Sequence, residues 1–229
     1  MQLAAVILAR SLCFIESFDL NPKGQAYYPD IVRGLVEKFG FYKFPQKPDE
    51  FDETKGVEFL GGKWGDVVVE KFTIFSNGLL LDTRVSTSES RRILLEGIAW
   101  AASSFGLKYN PPMITHWGYV SNLTFYSDLP LLKSNFPTSK LVERVQNAAR
   151  ESTGDLASWE PTIFTLHSDP IPKKPLYAPF TIQRRAETAF AENKYFSEAP
   201  LQTDTHWTIL EQFENDVISS LPRPIEIKD

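Results

Sequence analysis

The chain has 229 residues, with 24 Lys and Arg against 29 Asp and Glu for a formal net charge of −5, and hydrophobic residues make up 42% of it. That balance lacks the basic footprint of a nucleic-acid-binding protein, and the apolar and aromatic content is too high for disorder. One cysteine, Cys13, can form neither an internal disulfide nor a zinc cluster, so a reducing compartment is expected.

Domains run to about 100–200 residues, and residues 1–229 read as a single compact domain with 1–109 and 110–229 as candidate subdomains. Leu3 to Ala9 is unbroken apolar, but no Lys or Arg precedes it, and Arg10, Glu16 and Asp19 follow closely. A secretory signal needs a basic start and a small-residue exit, and a membrane span needs about twenty apolar residues. Leu3 to Phe18 therefore reads as a buried strand with a bulge near Ser11, in a cytoplasmic protein that makes no membrane contact.

Asn21-Pro22-Lys23-Gly24 is a turn. Pro29 and Asp30 suit the start of a helix that Gly40 closes, with Ile31, Leu35, Val36 and Phe39 on one face. Pro45 to Lys55 is a polar, acidic loop. A strand at Val57 to Leu60 should end at Gly61-Gly62. Val67 to Phe75 and Leu79 to Val85 then flank Asn77-Gly78, a dipeptide suited to a tight hairpin turn. Ser86-Thr87-Ser88-Glu89 has the form of a capping box, opening a helix that runs to Phe105 with Gly106 as its cap.

The second half continues with a strand at Trp117 to Tyr126 and a helix from Ser139 to Arg150 capped by Thr138. A strand follows at Thr162 to Leu166, and Pro170, Pro172, Pro175 and Pro179 impose an extended connection. Strands at Phe180 to Arg184 and Lys194 to Glu198 lead to a helix over Asp204 to Ser220, and Leu221-Pro222-Arg223-Pro224 opens a loose tail. Each half closes on two strands, a Ser/Thr-rich cap and a helix, and Phe72-Thr73-Ile74 recurs as Phe180-Thr181-Ile182, which makes the halves candidates for a diverged duplication. The expected fold is α+β, a mainly antiparallel sheet packed by about four helices.

Motifs that would name a reaction are missing. No G-x-S-x-G elbow occurs, and Gly61-Gly62-Lys63-Trp64-Gly65 lacks the remaining positions of a phosphate-binding loop. The best reading is a non-enzymatic interaction or assembly protein, self-associating as a homodimer or binding a protein partner, with no metal or other cofactor. A first alternative is a sensor of a small anionic ligand. Arg84 and Arg91 flank the start of the central helix, Arg184 and Arg185 hold the matching place in the second half, and anions favour such helix starts. A second alternative is a metal-dependent hydrolase, with His167, Asp204 and His206 supplying two imidazoles and a carboxylate. Asp49, Glu50, Asp52 and Glu53 around Phe51 offer an acidic patch with an aromatic anchor for a basic partner.

Overall fold

The computed structural model describes residues 1–133, 136–153, 159–168 and 178–220. Eight strands and five α-helices follow in the order β1 (Gln2–Phe14), α1 (Ser17–Leu20), α2 (Tyr28–Phe39), β2 (Val57–Trp64), β3 (Val67–Phe75), β4 (Gly78–Thr83), α3 (Thr87–Phe105), β5 (His116–Tyr126), α4 (Phe136–Thr153), β6 (Ile163–Leu166), β7 (Phe180–Arg184), β8 (Lys194–Ala199) and α5 (Thr203–Ser220). The strands form one sheet in the order β2-β3-β4-β1-β5-β8-β7-β6. Its ladders are antiparallel, as in β1 with β4, β3 with β2 and β4, and β7 with β6 and β8. The fold is thus α+β, and four of its helices exceed a single turn. Among the described residues, no helix is long and apolar enough to cross a membrane.

The chain divides into two compact units. One comprises Val6–Asn122 with Pro200–Asp204; the other comprises Met1–Ala5, Leu123–Ala199 and Thr205–Asp229. In the first unit β1 alternates, burying Ala9, Ser11 and Cys13. Its register with β4 runs without a slip from Ala9 opposite Thr83 to Phe14 opposite Gly78, so the bulge expected near Ser11 is not there. Ser11 is instead an inward position whose hydroxyl donates to the Thr87 carbonyl at 2.8 Å. The strand stops at Phe14, and residues up to Phe18 turn away into α1.

Two glycine readings need correction. Gly61-Gly62 does not end β2, which continues to Trp64. Gly61 adopts φ +63° inside the strand, and the Tyr42 ring packs where a Cβ would stand, so a glycine here admits a close aromatic neighbour without breaking the ladder. Gly78 is not a turn residue: it pairs with Phe75, leaving Ser76-Asn77 as the connection. A Cβ on Gly78 would come within 2.6 Å of the Cys13 carbonyl oxygen, so close strand approach accounts for this glycine.

Helix α3 runs as its sequence indicates, from the Ser86 cap to Gly106 at φ +68°. Ser86 Oγ accepts from Glu89 N at 3.1 Å. Glu89 does not complete the box; its carboxylate pairs with Arg92 at 2.7 Å. Helices α2 and α3 cover a core in which Phe39, Phe41, Phe59 and Phe72 pack ring against ring. Thr87, at the start of α3, and Thr203, at the start of α5, are both buried and bond reciprocally. Each hydroxyl oxygen accepts the other's backbone N–H, at 3.0 and 2.9 Å.

In the second unit, Leu123, Phe125, Ile182, Tyr195 and Leu210 are buried to completion or nearly so. Tyr195 Oη accepts from Leu131 N at 3.0 Å. Glu160 holds Arg184 at 2.5 Å and also pairs with Lys133, and the Arg184 and Glu160 side chains are almost fully enclosed. The Met1 ammonium pairs with Glu214 at 2.8 Å. Helix α4 begins at Phe136, so Thr138 lies inside it and is not its cap. Pro170, Pro172, Pro175 and the tail from Leu221 fall outside the described residues.

Candidate functional site

Helix α2 presents Ile31, Leu35 and Phe39 at i, i+4 and i+8, the spacing that aligns side chains on one face. Helix α3 turns Ile93, Leu94, Ile98 and Ala101 inward, and β3 and β4 contribute Phe72, Ile74, Leu79 and Leu81 from below. These faces do not close on one another. They leave a cavity of about 300 Å³ inside the first unit, within the usual size range of small-molecule sites. Gly97 helps to open it. It sits between Leu94 and Ile98 on the inward side of α3, and the nearest atom a Cβ there would meet is Phe39 Cζ, at 3.6 Å.

The polar groups of the cavity gather at one end, where three connections meet. Ser76 in the β3–β4 turn fixes two of them: its carbonyl accepts from Ser17 N at 2.8 Å and its N–H donates to the Glu53 carbonyl at 3.1 Å. Ser17 Oγ then donates to Glu53 Oε2 at 2.7 Å. The third connection is held by Lys108 N donating to the Leu20 carbonyl at 2.8 Å, beside Leu107 and Tyr109 in the wall. The Asn21 amide bonds the Ala26 backbone through both its nitrogen and its oxygen.

Tyr28 completes this end. Its hydroxyl is shielded from solvent yet makes no hydrogen bond of normal geometry. Burial raises its pKa first, and the nearby Glu53 carboxylate raises it further, through its charge and as an acceptor toward the phenol. Among the described residues Glu53 joins no ion pair, and no Lys, Arg, His or Cys lines the cavity. The lining offers apolar walls, one carboxylate, two phenols, one amide and one serine hydroxyl.

The residues singled out from sequence lie elsewhere. Arg84 pairs with Glu70 at 3.1 Å. Arg91 stands over the Trp117 ring at 4.8 Å. Arg184 is engaged by Glu160 and by the Phe190 carbonyl, at 2.5 and 2.8 Å, with the Phe190 and Tyr195 rings beside it. Arg185 is exposed. His206 is completely buried, with Nε2 2.8 Å from Ser197 Oγ and its ring edge-on to Phe180. Burial lowers its pKa to about 4. His167 is exposed after β6, and Asp204 lies in the first turn of α5. No group of three or more His, Cys, Asp or Glu side chains able to hold a metal occurs among the described residues. Cys13 is enclosed, and burial pushes its thiol up to about 11, so it is unreactive.

The acidic loop is dismantled in the same way. Phe51 packs edge-on to Tyr28, with centroids 6.1 Å apart. Asp52 holds Thr54 and Lys55, and Glu50 accepts from the Gln46 and Lys47 backbone. Glu53 alone turns to the cavity. Sequence reading found this carboxylate without its role, and it missed Ser17, Tyr28 and Gly97. The available signal was Gly97 itself, a helix-weakening residue on the apolar stripe of α3. No protein-family model matches this chain, and no curated protein matches it.

Proposed function

We propose that this protein is a non-catalytic binder of a small, largely apolar molecule, working as a carrier or sensor in the cytoplasm. One observation carries the reading: a cavity of about 300 Å³ walled by aliphatic and aromatic side chains, with its polar groups collected at one end. Such a site buries most of a small ligand and orients it through few polar contacts. Titration with a neutral apolar fluorophore, N-phenyl-1-naphthylamine, tests it. Saturable binding is expected in the wild type and strong loss in Gly97→Leu, whose side chain grows into the cavity from α3. Equal binding by the two proteins would count against the reading.

A second reading, self-association, is favoured by a separate feature. Strand β6 is the last in the sheet order, and its Ile163, Phe164 and Leu166 are 57%, 42% and 53% exposed. An apolar edge strand is a template for pairing with another copy. Sedimentation velocity should show a dimer that Thr165→Pro dissociates; a monomer at all concentrations would remove this reading.

A further inference from the structure

We infer that the ligand of this cavity is an amphipathic amine, its apolar body between α2, α3 and the sheet and its ammonium at the Glu53 end. The inference rests on the proposed binding function and adds the class of ligand. Apart from Tyr109 and Asn21 the rest of the lining is apolar, and the one charge lies where Ser17 and Glu53 meet beside Tyr28, so a charged head group belongs there. There the Glu53 carboxylate receives one hydrogen bond, from Ser17 Oγ. A carboxylate accepts about four. The Tyr28 hydroxyl is buried, makes no hydrogen bond of ordinary geometry and has the Glu53 carboxylate as its neighbouring acceptor. Ser17 Oγ donates to Glu53 and keeps acceptor capacity. A carboxylate with unfilled acceptor sites, its negative charge and the Ser17 oxygen beside it complement the N–H donors of a primary ammonium.

Other heads fit less well. A carboxylate or phosphate would face Glu53 with no cationic side chain in the lining to offset it. An alcohol could donate to one of these oxygens and would leave the charge of Glu53 unanswered. The Asn21 amide, the remaining polar side chain at this end apart from Tyr109, is already bonded to Ala26 through both its oxygen and its nitrogen.

Isothermal titration calorimetry of the full chain at pH 7 with octylamine, octan-1-ol and octanoate tests this. Octylamine should bind about tenfold or more tighter than octanol, and octanoate most weakly. Glu53→Gln should erase the amine preference, bringing the octylamine and octanol affinities to within about twofold of each other. If octanol binds but octylamine is no tighter, or if Glu53→Gln leaves the ratio unchanged, the amine assignment is overturned and the cavity reading stands. If none of the three binds, the cavity reading itself falls, and the assignment with it.

Discussion

Acidification from pH 7 to pH 4 should weaken this protein, with His206 as a separable contributor. It is completely buried on α5, with Ser197 Oγ 2.8 Å from Nε2. The Ser197 hydroxyl donates to the Thr181 carbonyl at 2.6 Å, so its single hydrogen is already placed and His206 Nε2–H is the donor in the shared contact. Protonation must then occur at Nδ1 and put a charge into the interior, which is why burial lowers the pKa from 6.5 to about 4. The unfolded chain takes up this proton near pH 6.5 and the folded chain only near pH 4. Between those values the unfolded state binds more protons, so stability falls as the pH falls. At 1.36 kcal/mol per pH unit the loss reaches about 3 kcal/mol by pH 4, beginning as the pH falls through 6.5 and levelling off below pH 4. That is a large share of a typical margin of about 5–15 kcal/mol. Urea denaturation of wild type and His206→Gln across this range measures it. Glutamine keeps an N–H for Ser197 and carries no titrating proton. The variant should start less stable at pH 7 but lose about 3 kcal/mol less between pH 6.5 and pH 4. Parallel curves for the two proteins would refute the burial argument, as would a His206 ring titrating near its ordinary value by NMR.

Two further outcomes follow from the packing. Thr87→Val or Thr203→Val removes one half of the reciprocal pair and strands a buried backbone N–H, at a cost of about 1–3 kcal/mol each; the double variant strands both and should cost close to the sum, short of it only by the shared hydroxyl–hydroxyl contact, and a negligible cost for either single variant would contradict the pairing. Gly97→Ala should raise stability by about 1 kcal/mol, because its Cβ meets Phe39 Cζ at an ordinary 3.6 Å while the helix gains a better former; an unchanged or lowered melting temperature would contradict that.

Local chemistry made much of the fold legible. Ser86, the apolar stripe and Gly106 define α3 because cap, periodicity and left-handed terminus all act within the helix itself. The α2 helix and its Gly40 terminus were readable for the same reason. Gly61 and Gly78 were misread because a glycine signals only that a side chain is excluded. What excludes it, the Tyr42 ring or the Cys13 carbonyl, is set by packing between distant segments. The candidate site shows the same limit more strongly. Ser17, Tyr28 and Glu53 lie in separate connections and meet only once the β3–β4 turn has pinned two of them. The arginines stood out by position along the chain, yet Glu70, Trp117 and Glu160 engage three of the four. A cavity has no sequence signature beyond small residues on an apolar face, and Gly97 was that residue.

Methyl-resolved NMR of the protein titrated with octan-1-ol reads occupancy of the cavity without reference to charge. Shifts concentrated at Ile31, Leu35, Ile93 and Ile98, and lost in Gly97→Leu, are expected. Shifts confined to methyls outside the cavity, or none at saturating alcohol, would contradict the assignment of this protein as a binder of small apolar molecules.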